Sequence, residues 1–476
     1  MSLLMKIENI DVNKSLEQAR ELLVKEENVS AAFKAVMEVL FVVITLLINR
    51  LGLNSKNSSK PPSTDPNRDK KNKDNPLARK PGGQKGHIGK TLRPVDNPDE
   101  INAIPVDKNT LPKGKYKDVG YVARQVINIR ISRHVTEYRA QILEDVNGYQ
   151  YTAPFPPQVT RPVQYGSEFK AHSVYLSQFQ LLPYNRIDNY FSQEINVPVS
   201  SGSICNFNKE AYELLEKFDG IAKSKLISAA VLNVDETGIN VNGKKAWLHV
   251  TANDKWTYFF PHEKRGKIAM DDIGIIPNFK GILCHDHWKP YYVYECLHSL
   301  CNAHHLRELQ RAFEQDKQQW AFNMKVLLLE IHNETKTAGG KLTKTDSEKY
   351  YDKYNAIIET AKIECPLPEA LVDHQKKRGR VKKTKSRNLL ERLSNFIDDT
   401  LRFMDNIDVP FTNNLAENNI RMTKVQQKIS GCFRSMEGAY IFCRIRGYIS
   451  TCQKHGVSVP EALKMLFQGQ LPAFIH

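Results

Sequence analysis

Apolar residues along this chain change their period several times, and each change marks an element. Over residues 13–53 the spacing is helical: Leu16, Ala19, Leu22 and Leu23 share a face, and Ser15-Leu-Glu-Gln18 has the form of a capping box. From Ala31 to Leu53 the helical pattern is apolar nearly all round, which predicts burial, either on its own domain or by self-association. Its densest part, Val39 to Ile48, is bracketed by Glu38 and Arg50. That run is short against the roughly twenty residues of a membrane span, so no membrane role is expected. Residues 124–131 alternate at period two and predict a strand, with Val135 to Leu143 as its partner. Helical periods return at 167–182, 184–195 and 201–218, with Val197-Pro-Val-Ser-Ser-Gly before the third. Such a trio suits a helix-turn-helix and suits a plain core bundle as well.

Two short apolar runs, 229–234 and 281–284, each lead to an aspartate, Asp235 and Asp286. An apolar run stopped by a charge reads as a buried strand whose end surfaces at the sheet edge, where open sheets bind ligands. Strands at 245–251 and 256–261 joined through Asn253-Asp254, a helix from about Lys267 to Ile273, and a strand from Ser299 to Asn302 complete the series. Three antiparallel strands, a helix, then parallel strands is the order of a ribonuclease-H-like α/β core. Residues 303–410 are mostly helical. Beyond them Leu415, Ile420 and Met422 predict an amphipathic helix with Glu417 in its early turns and Arg421 and Lys424 on the same side.

Charge adds a partner to this picture. The chain has 476 residues, a length that favours ~3 domains, and 68 Lys+Arg stand against 53 Asp+Glu, a net +15. That excess favours a polyanionic partner, nucleic acid before anionic membrane. Residues 54–90 hold ten Lys/Arg and three Asp, so +7 of the excess lies in a segment too poor in apolar residues to fold alone. It reads as an arm that orders on a phosphate backbone, with Lys70, Lys71, Lys73, Arg79, Lys80 and Lys85 as DNA contacts. A second basic run, Lys376 to Arg387, has eight positive residues and no acid. Eight cysteines without a CxxC pair exclude a disulfide framework, and the first thirty residues lack the pattern of a signal peptide.

Asp235 and Asp286 at neighbouring strand ends would repel each other unless a divalent cation lay between them, and hard oxygen donors suit Mg²⁺ or Mn²⁺. Spacing alone supports equally that each aspartate caps a turn or helix. Two-ion phosphodiester chemistry needs a third acid, for which Glu236, Glu295, Glu308 and Glu417 compete. Glu236 would point away from Asp235 if both lay on a strand. Cys301, His304 and His305, with Cys284 and His287, hold zinc-type donors, but without paired ligand spacing packing is the better account.

Asn57-Ser-Ser-Lys-Pro-Pro-Ser, Lys80-Pro-Gly-Gly-Gln-Lys-Gly-His, Pro162-Val-Gln-Tyr-Gly, Leu182-Pro-Tyr, Val234-Asp-Glu-Thr, His285-Asp-His-Trp-Lys-Pro-Tyr, Leu300-Cys-Asn-Ala-His-His-Leu-Arg-Glu-Leu, Asn413-Asn-Leu-Ala-Glu-Asn and Ser430-Gly-Cys-Phe-Arg-Ser occur in this order. Together they resemble the transposases of the insertion-sequence-66 family, over about 54–465. The resemblance implies a bacterial, cytoplasmic DDE transposase that nicks transposon ends and transfers the 3′-hydroxyl to target DNA. Its catalytic and metal-binding acids would be Asp235, Asp286 and Glu417, with two Mg²⁺ (or Mn²⁺) ions. Cys301 and His304 would support the site, and Arg421, Lys424 and Lys428 would contact DNA near the scissile phosphate. Partners would be double-stranded DNA (terminal inverted repeats and target), a second copy on paired ends, and accessory proteins of the same element. Many members carry a cysteine-pair zinc module that here, over 111–154, has no cysteine. A nuclease that cuts without joining, or a non-catalytic DNA-binding relative, are the alternatives.

The expected architecture is therefore a multidomain α+β chain. It has an N-terminal helical segment (1–53), a basic arm (54–100), a small β-rich module (101–165) and a helical, DNA-binding segment (166–225). A ribonuclease-H-like core (226–435) with a helical insertion at about 311–410, and a C-terminal helical segment (436–476), complete it.

Overall fold

The computed structural model describes residues 6–7, 10–26, 28–58, 65, 91–367 and 383–475. Most of the basic arm, including Lys70, Lys71, Lys73, Arg79, Lys80 and Lys85, and the first part of the second basic run lie outside the described residues.

The chain opens with a hairpin of β1 (Lys6–Ile7) and β2 (Ile10–Asp11), then α1 (Val12–Lys25) and α2 (Ala31–Leu51). Ser15 lies inside α1 rather than capping it. The cap that forms is on α2, where the Ser30 hydroxyl accepts from the Phe33 amide. Within the chain α2 is not packed on its own domain. Phe41 is its one buried residue, while Phe33, Val36, Val39, Leu40, Val42, Val43, Leu46, Leu47 and Leu51 are exposed. Among the described helices, α2 is the one long and apolar enough to cross a membrane by length and composition, because the apolar stretch extends well past Val39–Ile48.

Residues 124–131 do not form the predicted strand, and the pairing here is a short hairpin of β3 (Ile142–Glu144) and β4 (Gln150–Thr152). Alternation makes a strand only where a sheet neighbour and a core take up one face. Here Val126, Ile127, Ile129, Ile131 and Val135 are all exposed.

Four helices follow: α3 (Ser167–Val174), extended by a π-helical turn to Phe179, α4 (Tyr184–Glu194), α5 (Ser201–Leu214) and α6 (Glu216–Ile227). Their apolar faces (Val174, Ile187, Phe191, Ile204, Phe207 and Phe218) share one core with the central sheet.

That sheet has five strands, β5 (Val231–Val241), β6 (Lys244–Ala252), β7 (Thr257–His262), β8 (Ile282–His285) and β9 (Leu297–Leu300), in the order β7-β6-β5-β8-β9. The first three form an antiparallel meander. Asn242 and Gly243, at φ 48° and 80°, turn β5 into β6 as an Asn-Gly pair readily does, since both positions need positive φ. The helix α7 (Lys267–Ile273), closed by Gly274 at φ 74°, carries the chain across so that β8 joins β5 in parallel, and β9 then joins β8. Last come α8 (Asn302–Asp316), α9 (Gln319–Thr337), α10 (Lys344–Glu364), α11 (Lys385–Asn395), α12 (Ile397–Asp405), α13 (Asn414–Ser430), α14 (Met436–Lys454) and α15 (Val459–Phe467).

The period-two alternation of the strands separates two sides. Leu232 and Val234 of β5 and Leu283 of β8 pack with α3–α7, α14 and α15. Val231 of β5 and Ile282 and Cys284 of β8 pack with the helices α8–α12, a core of their own around Trp320, Met324, Tyr354 and Leu393. Farther along β5 and β6, Ile239, Val241, Leu248 and Val250 meet Ala416 and Ile420 of α13.

Candidate active site

Strand register sets the two aspartates side by side. Parallel pairing of β5 with β8 runs through Asn233↔Cys284, and each aspartate follows two residues later. Neighbouring strands lie about 4.8 Å apart, and residues two apart share a face. Asp235 and Asp286 therefore stand on the side of Asn233 and Cys284. Asp235 does not end its strand as expected. β5 runs on to Val241 because β6 continues to pair with it, and it is the parallel partner β8 that stops. Past His285 the backbone turns sharply. His287 adopts φ 69°, uncommon for a residue with a side chain, and the Asp286 carboxylate accepts the Trp288 amide at 3.2 Å.

Glu417 reaches the same side from a third element. It lies in the first turn of α13, whose N-cap is Asn413. The Asn413 side chain accepts from Asn233 Nδ2 and donates to the Val234 carbonyl, each at 2.8 Å. Its backbone amide donates to Cys301 Sγ at 3.2 Å. One fully buried asparagine thus ties the start of α13 to β5 immediately before Asp235 and to the start of α8. The motif containing Asn413 was visible in the sequence, but nothing in its spacing pointed to this clasp.

Cys301 and His304 sit at the N-cap and in the first turn of α8, facing Glu417. The thiol donates to Glu417 Oε1 at 3.7 Å, and His304 Nδ1 lies 3.8 Å from the same oxygen. The donor atoms of Cys301, His304 and Glu417 all lie within 4.8 Å of one another. The other zinc-type donors named above are not part of this group. His305 is buried and bonded to the Asn302 side-chain oxygen, His287 packs against the rings of Tyr292 and Phe396, and Cys284 is buried among apolar side chains of the helical core.

Burial and three acidic neighbours, Glu236, Asp286 and Glu417, push the Asp235 carboxyl up to about 8. Oxygen donors crowded in this way need a proton or a cation among them, so the donor set suits a hard divalent ion. The competing glutamates are engaged elsewhere. Glu236 alternates to the opposite side of β5, where Tyr291 donates to it at 2.6 Å and Arg265 Nε at 3.0 Å. Arg265 in turn lies over the rings of Trp247 and Trp288. Glu308 pairs with Arg392, and exposed Glu295 lies 3.9 Å from Lys280.

Of the three cations expected on α13, Arg421 and Lys428 are exposed. Lys424 instead donates to the Gly238 carbonyl of β5 and to the Gln427 side chain, so it fastens the helix to the sheet. This half-buried lysine packs against the sheet.

Acids drawn from within β5, from the turn after β8 and from a later helix meet beside a Cys-x-x-His turn in a mixed α+β chain. Residues 162–441, more than half of the chain, match the model described as Transposase IS66 family, and the chain belongs to that family of transposases. Residues 8–93 match a family of unknown function (DUF6444). No curated protein matches the chain.

Proposed function

We propose that the protein is a DDE transposase with a ribonuclease-H-like core, which nicks the ends of its insertion sequence and transfers the freed 3′-hydroxyl into target DNA. The observation that carries the reading is the meeting of Asp235, Asp286 and Glu417, from β5, the turn after β8 and α13, on one side of the sheet. The strand order β7-β6-β5-β8-β9 supports the core assignment. In this reading the three carboxylates hold two Mg²⁺ (or Mn²⁺) ions. When bound, such ions activate the attacking water or 3′-hydroxyl and stabilise the leaving oxygen. The chain's own residues set the geometry: Asn413 fixes the start of α13, and Cys301 and His304 orient the Glu417 carboxylate. Arg421 and Lys428, exposed on α13, contact phosphates beside the scissile bond, while the basic arm at 54–90 holds the duplex. The protein works in the bacterial cytoplasm on double-stranded DNA, as an oligomer that pairs two ends.

The test is cleavage of a labelled duplex carrying the element's own ends. Mg²⁺-dependent nicking should fall by about a thousand-fold or more in Asp286→Ala and in Glu417→Ala, with DNA binding retained. Cutting that survives both changes would remove the assignment. Pre-cut ends separate joining from cutting alone, since a nuclease would not insert them. Wild type that binds the ends but never cuts, even with the element's accessory proteins added, would favour the non-catalytic alternative. The presence of all three acids weighs against it.

A further inference from the structure

Beside the hard oxygen donors stand two softer ones, Cys301 and His304, that the proposed reaction does not use for metal, and both face Glu417. Cys301 Sγ, His304 Nδ1 and Glu417 Oε1 lie within 4.8 Å of one another, with the sulfur 3.7 Å and the nitrogen 3.8 Å from the oxygen. Tetrahedral Zn²⁺ with the usual bond lengths places S/O and N/O donor pairs about 3.4–3.6 Å apart, within a few tenths of an ångström of the 3.7 and 3.8 Å of these two pairs. His304 Nδ1 is buried and has no hydrogen-bond partner among the described residues, although it is aimed into this group. A buried nitrogen without a partner is costly, and a metal ion is one of the few things that would satisfy it. The Cys301 thiol is itself buried, while the His304 and Glu417 side chains are part-exposed, which leaves a path from solvent and room for a fourth ligand such as water.

We propose that Cys301, His304 and Glu417 form a binding site for a soft or borderline divalent cation of the Zn²⁺ type, which withdraws Glu417 from the magnesium site. Binding replaces the thiol proton, released to solvent, with a Cys–metal bond, and His304 binds as the neutral imidazole. Thiolate and imidazole select Zn²⁺ over Mg²⁺. One glutamate cannot serve both positions at once, so occupancy of the soft site opposes assembly of the hard one. The binding itself is independent of the proposed catalysis, whereas the competition rests on Glu417 as a ligand of the catalytic ions.

The test uses the full chain in Mg²⁺-free buffer with Co²⁺ as the probe, because a thiolate bound to Co²⁺ gives a charge-transfer band in the near ultraviolet. Wild type should develop the band and saturate near one Co²⁺ per chain. Cys301→Ser should lose it, and His304→Ala, which keeps the thiol, should weaken Co²⁺ binding by at least about ten-fold. No band in wild type, or a band that persists in Cys301→Ser, overturns the site. For the competition, Mn²⁺ bound per chain is counted by electron paramagnetic resonance. One added equivalent of Zn²⁺ should release Mn²⁺ from wild type and not from Cys301→Ser. Equal release from both overturns the competition. If wild type binds no Mn²⁺ at all, the catalytic reading of Glu417 fails and the competition falls with it, while the cobalt result still decides the soft site.

Discussion

Replacing Asp235 by Asn should stabilise the metal-free protein at alkaline pH while removing its response to Mg²⁺. The Asp235 carboxyl is buried beside Glu236, Asp286 and Glu417, and titrates near 8 instead of 3.8. Below pH 4 the group is protonated in both folded and unfolded chains, and its effect on stability is neutral. As pH rises from about 4 to about 8 the unfolded chain releases the proton and the folded one keeps it, so stability falls across that window and levels off above it. At about 1.4 kcal/mol per pH unit the full loss is at most roughly 6 kcal/mol. Water entry and side-chain relaxation reduce this to a few kcal/mol. Asparagine has no charge to bury, so Asp235→Asn escapes the loss. The assay is urea unfolding followed by tryptophan fluorescence, at pH 6.5 and 8.5, with and without Mg²⁺. Without metal, the wild-type midpoint should drop between the two pH values by more than that of the variant. Mg²⁺ should restore the wild type at pH 8.5 and leave the variant unmoved. Buried histidines such as His285 and His305, held below their usual pKa by burial, act at lower pH and cancel in the comparison. Parallel pH profiles for the two proteins would refute the argument that the acids crowd one another.

Three further outcomes follow from individual contacts. Asn413→Ala should cost about 2 kcal/mol by leaving the Asn233 amide and the Val234 carbonyl unpaired, and should reduce cutting more than DNA binding because Glu417 loses its anchor; thermal melts and paired binding and cleavage assays check both parts. Arg265→Ala strands a Glu236 carboxylate whose side chain is 1% exposed, so a loss of about 2 kcal/mol is expected, allowing for the part-exposed arginine, with partial recovery in Arg265→Ala/Glu236→Gln. Gly281→Ala drives a methyl group into the Ala230 carbonyl oxygen and places it 2.8 Å from that of Ala229, where β8 enters the sheet, and should lower stability by about 3 kcal/mol or abolish soluble expression.

Much of the core was legible because its signals are local. Apolar runs broken by Asn253-Asp254 and a short amphipathic helix place four of the five strands, β6 to β9, and the α7 crossover to within a few residues, and they place the start of β5. The placement of Asp235 inside β5 was not legible, since an apolar run shows where burial stops and not where pairing stops. β6 keeps Thr237 to Val241 in the ladder after the parallel partner has ended. Choosing among the glutamates required tertiary contacts. Glu236 and Glu308 are paired with arginines that reach them from residues 265 and 392, which favours Glu417 as the proposed third acid. The same holds for Lys424, whose helical spacing matches Arg421 but whose ammonium is taken by Gly238. Residues 124–131 differ in another way: period-two alternation reports a pattern, and among the described residues no strand pairs with it.

With Glu417 as the proposed third metal ligand, its position would also govern when during synthesis the protein becomes competent. The sheet and both aspartates are complete by residue 300, yet the third acid enters about a hundred residues later, after the helices α8–α12 have been made. Asn413, which seats it, is bonded to β5 and to Cys301, contacts that close only once the chain has returned to the sheet. A ribosome-bound or prematurely ended chain that stops before α13 would carry the basic arm and both aspartates without a third carboxylate. Such products would occupy DNA and leave it uncut, so interrupted translation would yield competitors of the full-length enzyme.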